Sequence, residues 1–231
     1  MGVSGGPDII QDGLVLALDA SDKLSYPGSG TTWTDISGNN YNGTLTNGPT
    51  FSSTNGGAIV FDGTNDYVAL NSNIFSTLST LTITVWAYPK VLTTKGMFFK
   101  SSKASNNQII FEIESSKMHW AVQVNGSWLP DGYSSASVVA NIWQHFVVTV
   151  DSSGWKLYRN GVQDGSNTHT SNFTSIGTTQ NYYIGYSPDG FYGDGRPLEG
   201  NIANTLIYNR ALTATEILQN YNATKSRFGL T

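Results

Sequence analysis

The segment 143–161 alternates apolar and polar residues and is interrupted by two sets of turn residues. Its alternating apolar residues are Phe146, Val148, Val150, Trp155 and Leu157. Asp151-Ser-Ser-Gly154 separates the two alternating runs, and Asn160-Gly161 follows the second. A period of two residues, β-branched and aromatic side chains, and closely spaced turns predict an antiparallel β-hairpin.

The same pattern recurs along most of the chain. Predicted strands lie at 14–19, 32–34, 43–45, 58–61, 67–70, 81–88, 96–99, 108–113, 119–124, 182–185 and 201–208. Segment 14–19 is apolar on both faces, so we expect it to be a central strand. About a dozen short strands separated by turns predict an all-β fold, a two-sheet antiparallel sandwich of the jelly-roll type.

One segment near the end of the chain has helical spacing instead. Thr213 and Glu216 have the Ser/Thr-x-x-Glu spacing of a capping box, and Ile217, Leu218 and Tyr221 follow at helical intervals. We therefore predict three parts. They are an N-terminal arm (1–12), a sandwich (13–212), and a short capped helix with a tail packed on the sandwich (213–231).

The composition argues against several classes of function. Charged residues make up 12% of the 231, the formal net charge is −4, and cysteine is absent. A chain without basic runs does not suit nucleic acid, whose binding depends on clustered Lys and Arg. No apolar run approaches the ~18 residues of a membrane span, and no cysteine is available for disulfides, metal thiolates or nucleophilic catalysis.

Four motifs together resemble LamG-like jelly-roll modules of the concanavalin A-like lectin/glucanase superfamily. They are Phe61-Asp-Gly-Thr-Asn-Asp-Tyr-Val68, Leu81-Thr-Ile-Thr-Val-Trp86, the 143–161 hairpin, and Ile207-Tyr-Asn-Arg-Ala-Leu-Thr213 with Glu216-Ile217. The resemblance covers residues 13 to about 224. It implies the sandwich fold, whereas fold alone does not determine function.

The two ends of the chain resemble virion proteins of tailed bacteriophages. The sequence segments that carry this resemblance are Gly5-Gly-Pro-Asp8, Asp12-Gly-Leu-Val-Leu-Ala-Leu-Asp19, Ser25-Tyr-Pro-Gly28 and Asn220-Tyr-Asn-Ala-Thr-Lys-Ser-Arg-Phe228. This resemblance implies a capsid decoration or a tail or fibre component, made in the host cytoplasm and localised to the virion. Residues 1–12 would attach it to other virion proteins.

A calcium site is a candidate at the turn between the predicted strands 58–61 and 67–70. Asp62 and Asp66 flank a glycine-containing turn, and the amide of Asn201 could add a ligand, since Ca²⁺ takes several oxygen ligands. The alternative is that both carboxylates cap backbone N–H groups within the turn. Many family members carry acidic residues after the Gly-x-Ile of the last strand, whereas here Ala203-Asn204 follows.

Two loops that mix aromatic and polar residues are candidates for binding a glycan or a partner protein. Aromatic faces stack on sugar rings, while carboxylates and amides accept from sugar hydroxyls; the same rings also suit protein contacts. The candidate residues are Trp128, Tyr133, Tyr186, Asp189, Phe191 and Tyr192.

Glycoside hydrolysis is a weaker alternative. Glu112 and Glu114 lie on one side of a predicted strand, about 7 Å apart, within the range of paired catalytic carboxylates. The Glu-x-Asp-x-x-Glu pattern of the glucanases is not met, so we interpret the pair as solvated and predict no catalytic residue. His119, His145 and His169 lack the spacing of a zinc motif, and we expect His145 to be structural.

The sequence therefore predicts a non-enzymatic virion surface protein with a lectin-like jelly roll. It would attach to the particle and, through its loops, to host-surface glycans. The alternatives are a free carbohydrate-binding module and a polysaccharide hydrolase. Many β-edges and low charge favour an oligomer or a multi-copy assembly, and calcium is the one candidate cofactor.

Overall fold

The structure is a computed structural model that describes residues 8–70, 74, 80–92, 96–101, 107–168, 181–188 and 196–231. These residues form seventeen strands, one α-helix and two short 3-10 turns. The strands are β1 (Leu14–Asp19), β2 (Thr32–Trp33), β3 (Gly43–Thr46), β4 (Thr50–Ser52), β5 (Ala58–Asp62), β6 (Tyr67–Leu70), β7 (Leu81–Pro89), β8 (Gly96–Ser101), β9 (Gln108–Glu114), β10 (Lys117–Val124), β11 (Ser127–Trp128), β12 (Gly132–Tyr133), β13 (Gln144–Asp151), β14 (Gly154–Arg159), β15 (Val162–Asn167), β16 (Tyr182–Gly185) and β17 (Glu199–Tyr208). The helix α1 spans Ala214–Thr224, and the 3-10 turns span Thr54–Gly56 and Lys225–Phe228.

The strands form two antiparallel sheets packed face to face. The eight-stranded sheet has the order β15-β14-β13-β7-β17-β5-β4, with β1 also paired to β17. The nine-stranded sheet has the order β11-β10-β9-β8-β16-β6-β3-β2, with β12 also paired to β10. The predicted two-sheet sandwich with one short C-terminal helix is therefore confirmed.

The core lies between the two inner faces and is rich in aromatic residues. Alternate residues of β7, β9, β10 and β13 enter it because successive side chains of a strand point to opposite faces. Its largest completely buried side chains include Trp33, Phe61, Phe98, Phe111, Trp120 and Phe146. The 143–161 hairpin pairs Val148 with Leu157 and Val150 with Trp155, as the alternation predicts.

The prediction of a central β1 is wrong. Among the described strands, β1 pairs with β17 alone, and a loop covers its other edge: Ala17 N donates to Asp35 Oδ1 at 2.9 Å, and Ile36 N donates to the Ala17 carbonyl. Both faces are nevertheless apolar, because Leu16 and Leu18 enter the main core while Ala17 joins a second cluster. Burial on two faces does not require strand partners on two edges.

The outer face of the eight-stranded sheet is covered by α1 and the 3-10 turn that follows it. Thr213 begins the helix with the predicted capping box, since its side chain accepts from Glu216 N and Glu216 accepts from Thr213 N. Trp86, on this outer face, stacks on Tyr221 at 5.7 Å and on Phe228 at 4.2 Å between ring centroids. The helix thus buries a face that strand alternation alone would leave to solvent.

Residues 8–12 of the predicted arm lie against the C-terminal part of the chain. Ile10 N donates to Asn220 Oδ1 at 2.8 Å, and the Ile10 carbonyl accepts from the Tyr208 hydroxyl at 3.0 Å. Ile9 and Ile10 pack on the second apolar cluster. The remaining residues of the arm, 1–7, lie outside the described part of the chain.

Among the residues that the structure describes, no helix combines the length and the apolar character needed to cross a membrane.

Candidate functional site

A cluster of ionisable side chains lies on the outer face of the nine-stranded sheet, and the β9–β10 hairpin creates it. Ser115 and Ser116 form the two-residue turn, both with left-handed backbone (φ 52° and 60°). That geometry is the one that two-residue hairpins favour. It sets the register so that Glu114 pairs with Lys117 and Glu112 pairs with His119.

His119 is the centre of the cluster. Its Nδ1 lies 3.0 Å from Glu112 Oε1 and 3.1 Å from Glu114 Oε2, and its Nε2 lies 3.2 Å from Asp131 Oδ2. The imidazole is almost fully buried and stacks on the Tyr133 ring at 4.4 Å with an interplanar angle of 13°. Three carboxylates are therefore held around one ring.

Glu112 is completely buried, with 0% exposure. Its Oε1 forms an ion pair with the guanidinium of Arg196, which is itself buried, in addition to the contact with His119. The interpretation of Glu112 and Glu114 as a solvated pair is thus wrong for Glu112. The reason is that the hairpin register and Arg196, from a segment more than eighty residues away, supply partners that permit burial.

The loop between β11 and β12 forms the wall of the site and is anchored to the core. Gly132 lies directly on Trp155, where an added Cβ would overlap the indole ring, and Trp155 Nε1 donates to the Pro130 carbonyl at 3.3 Å. β12 then pairs Tyr133 with His119. Core packing thereby determines the position of a surface loop.

Tyr133 joins the aromatic and acidic parts of the site. Its hydroxyl donates to Glu114 Oε2 at 2.8 Å. Burial, followed by the hydrogen bond to Glu114, raises the pKa of Tyr133 well above its usual value. The hydroxyl therefore stays protonated and acts as a donor at neutral pH.

These groups line a pocket of about 240 Å³, which we call the acidic pocket. Its lining residues are Glu114, His119, Ala121, Trp128, Asp131, Tyr133 and Arg196. Trp128 and Tyr133 remain 42% and 41% exposed, although they are large aromatic side chains. The pocket thus offers ring faces to solvent beside fixed carboxylates and one guanidinium.

The structure brings two of the six predicted ligand residues together here, Trp128 and Tyr133. Tyr186 belongs to a different aromatic group and lies 6.3 Å from Tyr67 between ring centroids. Asp189, Phe191 and Tyr192 lie outside the described residues.

Sequence reasoning missed Glu112, Glu114, His119, Asp131 and Arg196 as members of one site. A two-residue turn at Ser115-Ser116 would have placed Glu112 opposite His119, because hairpin loop length sets the register. The contribution of Arg196 has no local signal in the sequence.

Two residues of the calcium candidate, Asp62 and Asp66, share one turn, whereas Asn201 lies in a different environment. Asp66 Oδ2 accepts from Asp62 N at 3.0 Å, Asp62 Oδ1 accepts from Thr64 N at 2.8 Å, and burial raises the pKa of Asp66. These are the turn contacts of the alternative interpretation. Asn201 lines a different pocket, and its amide oxygen has no hydrogen-bond partner among the described residues.

Glu112, Glu114 and His119 have the composition of a metal site. Their ligand atoms lie within 4.8 Å of one another. The Arg196 guanidinium, however, already compensates Glu112 at the same oxygen that contacts His119. The arrangement therefore fits a buried ion-pair network that orients Glu114 and the His119–Tyr133 stack.

Comparison with known proteins places the fold in a family. A family model described as the concanavalin A-like lectin/glucanases superfamily matches residues 62–218, more than half of the chain. The chain belongs to this superfamily. A search of curated protein sequences finds no significant match.

Solved structures share the architecture at low sequence identity. Domain 4 of AbnA, an extracellular arabinanase from Geobacillus stearothermophilus solved with arabinotriose, has a TM-score of 0.70 and 22% identity over 90% of this chain and 98% of that one. A botulinum neurotoxin type C structure, from work on cell entry that depends on two ganglioside molecules, has a TM-score of 0.69 and 15% identity over 93% and 52%. Trypanosoma rangeli sialidase with sialic acid has a TM-score of 0.64 and 16% identity over 93% and 33%. At these identities the likeness shows the fold alone, and this chain spans about half of the neurotoxin chain and a third of the sialidase.

Proposed function

We propose that the chain is a non-catalytic glycan-binding module of a phage virion and that the acidic pocket is its glycan site. The observation that supports this most directly is the exposure of Trp128 and Tyr133 beside Glu114 and Asp131 in one pocket. Binding sites of this kind combine apolar surface with a few fixed polar groups that orient the ligand.

In this proposal the aromatic rings and the carboxylates bind different parts of the sugar. A sugar ring has an apolar face that stacks on an aromatic side chain and a polar rim that needs acceptors and donors. Glu114 is already held by Tyr133 and His119, and Asp131 by His119. Preorganised acceptors of this kind bind without a further ordering cost.

The charges of the site favour a neutral sugar or an amino sugar. Among the described residues, the carboxylates of Glu112, Glu114 and Asp131 lie near one guanidinium, that of Arg196, which is paired with Glu112. An anionic glycan would lie beside the carboxylates of Glu114 and Asp131, and like charges at close range are unfavourable.

Hydrolysis is the competing proposal, because the ligand oxygens of Glu112 and Glu114 lie within 4.8 Å. Retaining hydrolases hold their two carboxyls about 5–5.5 Å apart. The burial of Glu112 and its contacts with Arg196 and His119 oppose this role, since a nucleophile must reach the substrate. Turnover of any polysaccharide by wild-type protein, lost in Glu112→Gln with the fold intact, would favour hydrolysis.

The known structures support the binding role by analogy. The arabinanase domain, which this chain nearly spans, is complexed with arabinotriose. Cell entry of the neurotoxin depends on interaction with two ganglioside molecules, and the sialidase structure is a complex with sialic acid. Fold likeness of this kind raises the expectation of sugar binding but does not identify the sugar.

The virion role is supported by the resemblance of both chain ends to proteins of tailed phages. In this proposal residues 1–7 carry the attachment to other virion proteins, since residues 8–12 are engaged with α1 and β17. Deleting residues 1–7 should then abolish incorporation into particles. A free carbohydrate-binding module would give normal glycan binding and no incorporation of the wild type.

The glycan site is tested by a glycan array with wild type, Trp128→Ala and Glu114→Gln. We expect binding to neutral or amino-sugar glycans that falls at least about tenfold in each variant. Glu199→Gln is the matched control, because Glu199 is partly buried like Glu114 but lies on the eight-stranded sheet. Wild-type protein that binds no glycan, or variants that bind as wild type does, would contradict the proposal.

A further inference from the structure

A second and larger pocket lies on the other side of the sandwich. It has a volume of about 530 Å³ and is formed by the outer face of the eight-stranded sheet, the 3-10 turn Thr54–Gly56 and the end of the chain. The acidic pocket lies on the outer face of the nine-stranded sheet, so the core separates the two. The volume of the second pocket falls within the ~300–1,000 Å³ that small-ligand sites typically have.

The second pocket is uncharged and alternates rings with amides. None of its lining residues carries a charge at neutral pH. Its aromatic and amide members are Tyr88, Trp143, Phe228, Asn55, Asn141 and Asn201. This composition differs from the acidic pocket, so a ligand would be recognised by stacking and neutral hydrogen bonds.

The aromatic wall is held in place by neighbouring contacts. Trp143 Nε1 donates to Asn55 Oδ1 at 3.1 Å, and Asn55 Nδ2 donates to the Arg227 carbonyl at 3.1 Å. Trp143 also lies 4.6 Å from Phe228 and 5.6 Å from Tyr88 between ring centroids. These contacts fix the positions of the three rings relative to one another.

Two amides of the pocket have unused hydrogen-bonding capacity. The Asn201 Oδ1 is buried and has no hydrogen-bond partner among the described residues. Buried acceptors are usually paired, and Asn201 Oδ1, within the described part of the chain, is an unpaired acceptor on a residue that lines the pocket. Asn141 is exposed at the rim, on a left-handed backbone with φ 60°.

We propose that this pocket is a second binding site and that its ligand is a neutral saccharide. The ring faces of Tyr88 and Trp143 suit the apolar face of a sugar, and the Asn141 and Asn201 amides suit its hydroxyls. An apolar peptide segment would leave these amides without partners, at a cost. The proposal goes beyond the acidic pocket and does not depend on it, because the two sites share no residue.

The test follows the indole N–H signal of Trp143 in a ¹H–¹⁵N spectrum during titration with arabinotriose, maltotriose and cellotriose. We expect at least one of these neutral trisaccharides to shift the signal in a saturable way. Tyr88→Ala and Asn141→Gly should weaken that binding about tenfold or more, whereas Trp128→Ala should leave it unchanged.

Asn40→Gly is the matched control for Asn141→Gly, since Asn40 is also exposed and has φ 63° but is not among the residues that line the pocket. Glycine accepts this backbone without strain, so both variants should fold. No shift of the Trp143 signal with any of the three sugars would overturn the proposal. Wild-type affinity in Tyr88→Ala and Asn141→Gly would also overturn it. So would loss of the Trp143 shift in Trp128→Ala.

Discussion

At the scale of single residues, the site depends on a buried charge network that the sequence only partly reveals. The exposure of Trp128 and Tyr133 was predictable, because aromatic residues in a Gly- and Pro-containing turn indicate an exposed loop. Glu112 was misinterpreted because alternation assigns it to an outer face, and outer faces are usually solvated. Its burial depends on Arg196, and no local pattern predicts a partner so far along the chain.

Glu112→Gln should destabilise the fold strongly. The change leaves the buried Arg196 without its charge partner, and breaking a buried pair typically costs about 3–5 kcal/mol. Urea denaturation measures the loss in the free energy of unfolding, and Glu199→Gln should lose less than about 1 kcal/mol. A loss as small as that of the control would show that the network is not a stability element.

His145 should give the wild type a specific dependence on pH. Complete burial lowers its pKa to about 3, so it stays neutral in the folded state while the unfolded chain protonates near pH 6.5. A folded-state pKa below the unfolded value means that stability falls as pH drops from 6.5 towards 3. The loss between pH 6.5 and 5 should be about 2 kcal/mol.

His145→Phe should remove that slope, because the ring keeps its stacking on Trp86 but cannot bind a proton. The measurement is the free energy of unfolding in urea at pH 7, 6 and 5 for both proteins. If the free energy of unfolding of wild type and of His145→Phe falls equally with pH, protonation of His145 is not the cause of the pH dependence.

At the scale of elements, the alternating strands were predictable, whereas β4, β11, β12, β15 and the environment of β1 were not. Alternation located β7, β9, β10, β13 and β14, because half-buried strands carry a period of two. β11 and β12 have two residues each, too few for any period, although they carry Trp128 and Tyr133. β1 was wrongly placed at the centre because its edge is covered by a loop and its faces by two separate clusters.

The capping box of α1 should contribute measurably to stability. Thr213→Ala removes the side chain that accepts from Glu216 N, and loss of such a cap typically costs about 1 kcal/mol. Thr64→Ala, at an exposed turn position, is the control. The denaturation midpoint should fall for Thr213→Ala with an unchanged m-value, and equal midpoints for the two variants would refute the role of the cap.

At the scale of the whole molecule, the sandwich was predictable from the sequence and the sites were not. Many short strands with one apolar face each can bury those faces in few folds other than two stacked sheets. The acidic pocket instead joins β9, β10, the β11–β12 segment and Arg196, and the second pocket joins five distant segments. Such assemblies depend on topology, which periodicity does not encode.

The contacts of residues 8–12 with the second apolar cluster should contribute to stability. Removing residues 1–12 should lower the melting temperature by several degrees more than removing residues 1–7, because Ile9 and Ile10 pack on the cluster beneath α1. Thermal melts of the two truncations measure this, and equal melting temperatures would show that residues 8–12 add no stability.

The central claim is that the acidic pocket binds glycan, and a crystal structure of the protein with its best array ligand tests it most directly. The account predicts a sugar ring against Trp128 or Tyr133, with hydroxyls donating to Glu114 or Asp131. A glycan found only elsewhere on the molecule, or no bound glycan at saturating concentration, would contradict it.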